Sequence, residues 1–513
     1  MILLLLLGCS DAPADTATTA PACDPIDVSL IGDWQESDLR SDHKRRHTEP
    51  GIAIGDLDGD GWTDALVAWG GGSFVLHNDG TGKLEVDNTW TANDAPLPPA
   101  TAVALADLDG DGDLDAYLGR SDGEPDVLLY NDGDRFRATL LSGADIASWT
   151  GAFADADGDG DLDLAVAGRV LDIQPEPVLS GEQIGKPNLL YIQDGGVFTE
   201  SPERIPQEDN YGLTFQVVWL DIDGDGDLDL YEVNDWGFNV VPNRLLLNDG
   251  TGHFTEAEDC SCDLPMYGMG AAIGDLVPDG IPDLYITDIG SPKLLVNLGD
   301  GTFYDGTLAH GADNDPTLGS VTSWGATATD LNLDGCADLM VTFGGLNSYQ
   351  VDAWWGSMTG VNPEWRDETD QVDVIFQGDC AGGFTRLEDL RFSEHAGRGR
   401  SLAVGDFNAD GRPELLMAGK YYVQHWEVTG GCEQSLTLHF SSDDIGARIE
   451  ATVDGRQSTQ WLLPSTTHSQ SALSVMLGLG EAQEASEVTI TWPDGTQQSH
   501  TDLAAGSTHT ITR

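Results

Sequence analysis

The sequence predicts an all-β fold, a seven-bladed β-propeller with calcium-binding hairpin loops followed by a small β-rich C-terminal domain. Two observations carry this prediction. An acidic motif related to D-x-D-x-D-G-x-x-D occurs seven times, with 48 to 76 residues between successive starts. A second, Gly-containing turn between apolar segments follows six of the copies. Repeats of this length that each contain two hairpins are typical of propeller blades.

The segments around the acidic motifs have the character of strands. GIAIGD precedes the first copy and DALVAW follows it, and both are short, apolar and bounded by Gly or Asp. Such segments favour strands over helices, so each acidic motif is predicted to join two antiparallel strands. The second turn, as in HNDGTGKL from His77, is a strong hairpin signal. Each repeat therefore supplies four strands.

The seventh repeat lacks the second hairpin, and residues 26–31 near the N-terminus are available as its missing outer strand. Closing the ring in this way would bring Cys23 beside Cys432, which we predict to form a disulfide. Cys336 and Cys380 fall at the same end of the sixth repeat and are a second candidate pair. The Cys260-Ser-Cys262 segment is open to a redox or metal role, but disulfide bonding is favoured in an exported chain.

Calcium is the cation that the acidic motifs predict, because it takes about 6–8 oxygen ligands and alternate residues of a tight turn aim their carboxylates at one point. Four motifs have all four carboxylates: Asp56, Asp58, Asp60 and Asp64; Asp107, Asp109, Asp111 and Asp115; Asp155, Asp157, Asp159 and Asp163; Asp221, Asp223, Asp225 and Asp229. These four are the predicted strong sites.

Three motifs depart from the full set and are predicted to bind more weakly. Two have a neutral or longer ligand: Asp330, Asn332, Asp334 and Asp338; Asp406, Asn408, Asp410 and Glu414. In the fifth copy Val277 replaces a carboxylate, which leaves Asp275, Asp279 and Asp283 in a weak or empty site. Four strong and up to three weaker calcium ions are therefore expected.

The fourth motif, DIDGDGDLDLYE, also fits the EF-hand loop, which ends in a bidentate Glu and is flanked by helices. The equivalent of Glu232 is an apolar residue in the other six copies. Glu232 is therefore predicted to be a strand residue and not a calcium ligand.

The charge of the chain excludes some partners. The 513 residues include 23 Lys and Arg against 88 Asp and Glu, a net charge of −65. Such a surface repels nucleic acid and anionic lipid, so membrane contact is expected only through a lipid anchor. The basic cluster HKRRH, from His43 to His47, is interpreted as a solvated loop, with a zinc site at the two histidines as a minor alternative.

The N-terminus carries an export signal. The apolar run that ends in Leu6-Leu7-Gly8-Cys9 is similar to a bacterial lipobox, so residues 1–9 are expected to be a signal peptide whose Cys9 becomes lipidated. A plain apolar start with an incidental cysteine is the alternative. Residues 10–22, rich in Pro, Ala and Thr, are a predicted flexible linker. The expected location is the bacterial cell surface or outer membrane, or the medium after secretion.

The acidic repeats resemble the FG-GAP/VCBS repeats of extracellular calcium-binding propellers. The segment from Met269 to Phe303 is similar to the cartilage acidic protein group in particular. After Cys432, the segments IGARIEATVDGRQ, VMLGLGEA and VTITWPDGTQQ resemble the ASPIC/UnbV domain. The resemblance implies a propeller over 23–432, an ASPIC/UnbV-like domain over 433–513, and an exported binding or adhesion scaffold without an established reaction.

Two functions remain open at the level of sequence. The first is a non-catalytic, calcium-binding surface protein that binds a protein or glycan. It is favoured because the chain has no HExxH, GxGxxG or P-loop motif. The alternative is a calcium-dependent extracellular glycan or ester hydrolase or lyase. Trp354, Trp355 and Trp365 are candidates to stack on a sugar or anchor a partner, or to pack against their own blade.

Overall fold

The structure is a computed structural model that describes residues 23–35, 49–133, 135–142, 146–170, 185–314, 321–345, 371–387, 390, 392 and 399–513. The predicted signal peptide with Cys9, the linker, the histidines of the basic cluster and the three tryptophans named above lie outside these ranges. The described ranges contain strands and short 3₁₀ turns and no α-helix. Within them, no helix is long and apolar enough to cross a membrane.

The strands before Cys432 form seven similar units, and their bounds follow in chain order. They are β1 Asp24–Gln35, β2 Gly51–Gly55, β3 Asp64–Ala68, β4 Phe74–Asn78, β5 Leu84–Asp87, β6 Thr91–Ala92, β7 Ala95–Pro96, β8 Ala102–Ala106, β9 Asp115–Gly119, β10 Val127–Asn131, β11 Phe136–Leu140, β12 Ala147–Ala154, β13 Asp163–Arg169, β14 Leu189–Asp194, β15 Val197–Glu200, β16 Thr214–Leu220, β17 Asp229–Asn234, β18 Arg244–Asn248, β19 Phe254–Glu256, β20 Ala271–Gly274, β21 Asp283–Ile286, β22 Lys293–Asn297, β23 Phe303–Asp305, β24 Ser323–Thr329, β25 Asp338–Phe343, β26 Val374–Gly378, β27 Phe384–Arg386, β28 Gly399–Gly405, β29 Glu414–Gly419 and β30 Tyr422–Gly431.

The strands after Cys432 belong to the C-terminal domain. They are β31 Gln434–His439, β32 Arg448–Val453, β33 Arg456–Trp461, β34 Ser465–Thr466, β35 Ser469–Gln470, β36 Ser474–Gly480, β37 Glu484–Thr491, β38 Gln497–Ala504 and β39 Thr508–Thr510. They form a three-stranded sheet in the order β36-β31-β39 and a four-stranded sheet in the order β33-β32-β37-β38. The short hairpin β34-β35 instead joins the sheet of the first unit.

Each of the seven units is an antiparallel meander in which the acidic motif joins the first strand to the second. The first strand of each unit is apolar and almost entirely buried, as in AVALA of β8, because it faces the axis of a ring. First strands of neighbouring units contact one another, and β28 of the last unit contacts β2 of the first. The prediction of an all-β, propeller-like fold is thus confirmed.

The ring closes between the two ends of the propeller-like region. Strand β1 pairs antiparallel with β30, from Asp24 opposite Gly431 to Gln35 opposite Tyr422, and so completes the seventh unit. Residues 26–31 were predicted from the sequence as this outer strand, and the observed strand is longer at both ends. Cys23 and Cys432 are joined by a disulfide next to this pairing.

The axis of the ring is occupied by residues 464–472 of the C-terminal domain. Gln470 pairs with Ala53 of β2 and exchanges two hydrogen bonds of 2.9 Å with the backbone of Leu105 in β8. The Thr466 hydroxyl donates to the Leu402 carbonyl of β28 at 2.8 Å. The hairpin therefore links the first strands of the seventh, first and second units, a feature that the sequence analysis did not predict.

Candidate metal centres

The first aspartate of each acidic loop organises the turn that follows it. In the fourth loop, Asp221 accepts hydrogen bonds from the backbone N–H groups of Gly224 at 2.8 Å and Gly226 at 3.2 Å. Gly226 has a φ of 97°, a left-handed conformation that favours glycine. The second and third loops fold in the same way around Asp107 and Asp155.

The ninth-position carboxylate joins the acidic loop to the second hairpin of the same unit. Asp229 accepts from the backbone N–H of Ile222 at 3.1 Å through one oxygen and from that of Asn248 at 2.8 Å through the other. The same pair of bonds is made by Asp64, Asp115, Asp163, Asp283 and Asp338. In the seventh loop, Glu414 accepts from Phe407 N–H at 2.6 Å.

The turns bring the predicted ligands together in the first three loops. Groups of three carboxylates with ligand oxygens within 4.8 Å of one another are formed by Asp56, Asp58 and Asp60, by Asp107, Asp109 and Asp115, and by Asp155, Asp157 and Asp163. Oxygen atoms at this spacing could hold one cation among them.

Burial and the closeness of the carboxylates to one another disfavour their ionised forms. Burial raises the pKa of the ninth-position carboxyl in every loop, and neighbouring carboxylates of the same loop add to the rise. The pKa reaches about 6 for Asp64, about 7 for Asp115, Asp163 and Asp283, and about 8 for Asp229 and Glu414, and that of Asp338 lies well above its usual range. A bound cation would favour the ionised forms and relieve this cost.

The fifth loop keeps its fold without its second carboxylate. Asp275 accepts from Asp279 N–H at 2.8 Å, and Asp283 accepts from the N–H groups of Val277 at 2.8 Å and Asn297 at 2.9 Å. The seventh loop is similar: Asp406 accepts from Asp410 N–H and Gly411 N–H. The turn therefore does not depend on a full set of ligands.

The sixth loop is enclosed by the C-terminal domain. Asp330 and Asp334 are each 2% exposed, and the Cys432 N–H donates to the Asn332 carbonyl at 2.6 Å. The Arg456 guanidinium donates to the Asp334 carbonyl, and Gly478 packs so closely on Asp330 that a Cβ would lie 2.0 Å from its carboxylate. Cys336 and Cys380 beside this loop are joined by a disulfide, so they offer no thiolate to a cation.

Glu232 lies in β17 and faces Arg244 of β18, as expected for a strand residue. The two side chains form a buried ion pair at 3.2 Å, and each is 1% exposed. Burial raises the pKa of Glu232 despite the charge of Arg244. The structure thus assigns Glu232 to the packing between strands.

The second hairpins contribute two features to the candidate sites that were not predicted from the sequence. The Asn131 amide donates at 2.7 Å to the Leu57 carbonyl, which belongs to the acidic loop of the preceding unit. Equivalent bonds cross to the preceding unit from Asn78, Asn248 and Asn297. The recurrent Asn two residues before a turn Gly was the available signal, but it was interpreted only as turn chemistry.

The second feature is His77, whose side chain lies beside two carboxylates of the first loop. Its Nδ1 lies 3.4 Å from Asp58 Oδ2 and 3.2 Å from Asp64 Oδ1. The corresponding residues of the next units are Tyr130, Ile192 and Leu247, so the imidazole distinguishes the first loop from these.

Comparison with known families agrees with the repeats and with the change of pattern after Cys432. FG-GAP-like repeats match residues 56–118, 107–166 and 275–341, and an ASPIC and UnbV model matches residues 438–513. The chain is therefore an FG-GAP-like repeat protein with a C-terminal ASPIC and UnbV domain. The three disulfides of the described residues, with Cys260 bonded to Cys262 as the third, indicate an exported protein.

Among curated proteins, the chain is similar to cartilage acidic protein 1. It is 25% identical to the Xenopus tropicalis protein over 338 residues, which is 54% of this chain and 51% of the relative. With the Homo sapiens protein the identity is 24% over 359 residues, 58% of this chain and 52% of the relative. The chain thus spans about half the length of the curated relatives it matches.

Solved structures with a similar fold include a lectin and a lyase. The Agrocybe aegerita lectin that recognises non-reducing terminal N-acetylglucosamine has a TM-score of 0.44 and 18% identity, covering 75% of this chain and 85% of the lectin. Virginiamycin B lyase from Staphylococcus aureus has a TM-score of 0.43 and 11% identity, covering 78% of this chain and 99% of the lyase.

Proposed function

We propose that the protein is a non-catalytic, calcium-binding β-propeller of seven blades that acts at the cell surface as a binding or adhesion scaffold for a protein or glycan. The observation that carries the proposal is the repeated acidic loop. Its buried carboxylates have raised pKa values, and they lie next to the hydrogen bonds that join neighbouring units. In the proposed location, a lipid on Cys9 holds the exported protein at the bacterial surface.

Calcium fits these loops better than a smaller or softer cation. The donors are carboxylate and carbonyl oxygens on a tight turn, and calcium accepts such ligands with flexible geometry. Five of the seven sites lie beside an Asn or Gln side chain that bonds the loop backbone, as Asn248 does to Ala156 and Leu228. In this proposal, one calcium ion stiffens both its own loop and the contact with the preceding unit.

A scaffold role fits the way the axis is filled. Residues 464–472 occupy the position where a ligand channel of an open ring would run. The open recess with the largest volume among those described, about 770 Å³, lies instead between the ring and the C-terminal domain. Its lining includes Asp275, Asp330, Arg456 and Trp461, a mixture of polar and aromatic groups suited to contact with a protein or glycan.

The test is a glycan and surface-protein binding screen with calcium and with a chelator. We expect a ligand that is retained in calcium and lost or weakened in chelator. Asp221→Asn should weaken calcium binding at one site, since a charged ligand is replaced by a neutral one. Asp227→Asn is the matched control, because it removes the same charge from a position that supplies only a backbone carbonyl.

Three results would count against the proposal. Absence of any ligand in both conditions would contradict the scaffold role. Equal calcium loss in the two variants would contradict the ligand assignment. Turnover of a glycan or ester by the wild-type protein would favour the hydrolase or lyase instead.

A further inference from the structure

The tip of the hairpin β34-β35 lies at the end of the axis away from the acidic loops. His468 occupies this tip and is fully buried. Its carbonyl accepts a hydrogen bond from Val103 N–H at 3.2 Å and packs against Gly51, at the start of β2. The acidic loops lie at the ends of the first strands, whereas His468 lies at the start of β2. The hairpin therefore extends along the whole length of the axis.

Aromatic rings and guanidinium groups surround the His468 imidazole. Its ring centroid lies 5.3 Å from that of Trp149 and 6.1 Å from that of Phe215. The Arg169 guanidinium lies 3.8 Å from the Phe215 ring centroid and 5.2 Å from that of Trp149. Residues of the ring and of the C-terminal domain therefore meet in one enclosed cluster.

Hydrogen-bond donors in this cluster lack partners among the described residues. Arg169 Nη2 donates to Asp235 at 2.8 Å, but Nη1 has no acceptor. Trp149 Nε1 and both imidazole nitrogens of His468 also have none. These three residues are 6%, 7% and 0% exposed, so bulk water does not reach them freely. A buried donor without an acceptor costs free energy, and three at one place indicate a missing ligand.

The neighbouring carboxylates are already engaged. Asp235 accepts from Arg169 and from Trp236 N–H, and Glu49 accepts from Arg400. Arg400 lies 4.0 Å from the Trp324 ring centroid and donates also to the carbonyls of Gly399 and Gly345. The guanidinium and indole N–H groups are thus left over as donors, which an anion or another acceptor would satisfy.

We propose that Trp149, Arg169 and His468 bind a small monovalent anion, a carboxylate or a halide, between the ring and the tip of the hairpin. The indole and guanidinium groups can only donate, which disfavours a cation at this position. Burial, and then the charges of Arg169 and Arg400, lower the pKa of His468 to about 3. The imidazole is therefore neutral at physiological pH and can donate through one of its two nitrogens.

The anion would act as a bridge between the two parts of the molecule. Trp149 and Arg169 come from β12 and β13 of the ring, and His468 comes from the C-terminal domain. Binding should thus stabilise the seated hairpin and raise the melting temperature of the whole protein, because a ligand of the folded state alone shifts unfolding by mass action.

The test uses the full protein with calcium in buffer free of chloride. Its melting temperature is measured by calorimetry against sodium formate, acetate or chloride, with a bulky gluconate salt keeping the ionic strength constant. We expect a saturable rise with at least one small anion. Trp149→Phe should weaken the apparent affinity on the order of tenfold, because it removes one donor to a charged ligand.

Trp219→Phe is the matched control. Its indole N–H is buried but already donates to the Ala152 carbonyl at 3.0 Å, so the anion response should persist. Bromide soaked into crystals should give an anomalous peak within hydrogen-bond distance of Trp149 Nε1 and Arg169 Nη1. Absence of a saturable response, equal weakening in the two variants, or ordered water in place of bromide would overturn the proposal.

Discussion

The fourth and sixth acidic loops differ in a way that ligand counting does not reveal. The fourth has four aspartates and lies at the surface, with Asp225 exposed. The sixth has one Asn in place of an Asp, yet Asp330, Asn332, Asp334 and Asp338 are all buried. Counting carboxylates predicts that the fourth loop binds calcium more strongly than the sixth. In the structure, however, the carboxylates of the sixth loop are more deeply buried, so their ionised forms depend more on a bound cation.

The smaller number of carboxylates and the deeper burial of the sixth loop have opposite effects on calcium binding. Fewer carboxylates weaken the attraction for calcium, but burial increases the cost of leaving any carboxylate ionised and unpaired. Burial raises the pKa of Asp330 to about 8, whereas Asp221 reaches about 6. Arg456 compensates part of the charge in the sixth loop.

Removing calcium from all loops should have the largest effect. We expect chelation to lower the melting temperature by on the order of 10 °C, because several buried carboxylates lose their counter-charge together. Calorimetry with calcium and with EGTA measures this difference. Identical melting in both conditions would mean that neither loop needs a cation.

The metal-free protein should also become less stable as pH rises. The folded-state pKa values of Asp229, Asp330 and Glu414, about 8, exceed the ordinary values of these groups. Their contribution to stability is therefore complete below about pH 4 and is lost as pH rises through about 8. We expect the melting temperature in EGTA to be roughly 5 °C higher at pH 5 than at pH 8.

Calcium provides the control for this pH effect. A bound cation keeps the carboxylates ionised, so the decline between pH 5 and 8 should vanish when calcium is saturating. A decline of equal size with and without calcium would assign the effect to groups outside the loops.

A pair of equivalent variants compares the two loops directly. In saturating calcium, Asp330→Asn should lower the free energy of unfolding by about 3 kcal/mol, because the weaker neutral ligand leaves the other buried carboxylates poorly compensated where water cannot reach them. Asp221→Asn should cost only about 1 kcal/mol, because water can solvate the carboxylates of the open loop. Denaturant unfolding measures both. Equal losses would show that enclosure does not matter.

The smallest effect is expected from Glu232→Gln. The number of calcium ions bound should not change, because Glu232 faces Arg244 and not the loop. Isothermal titration of the wild-type and variant proteins gives the stoichiometry. Loss of one calcium ion would assign Glu232 to the site and would make the fourth loop an EF-hand in its ligand set.

The repeated part of the fold could be predicted from the sequence because its signals are local. Turns that contain Gly, mostly as Asp-Gly, specify the second hairpins, and the lack of such a hairpin in the seventh repeat predicted residues 26–31 as its missing outer strand. The ligand positions of the loops follow from spacing in the same way. What these features share is that the interacting residues are either close in sequence or repeated.

The filled axis and the enclosed sixth loop could not be predicted in this way. Residues 465–470, STTHSQ, have the polar composition of an exposed loop, yet Thr466, His468 and Gln470 are buried. Their polar groups bond first strands that lie far away in sequence, as Gln470 does with Leu105. Such burial depends on distant partners and leaves no periodic pattern.

The closure between β1 and β30 also constrains the order of folding. The disulfide beside it joins cysteines 409 residues apart, and the hairpin that fills the axis comes later still in the chain. Contacts of such long range are slow to form, since loop-closure entropy must be overcome before they contribute. The ring therefore cannot be completed during synthesis of its first six units.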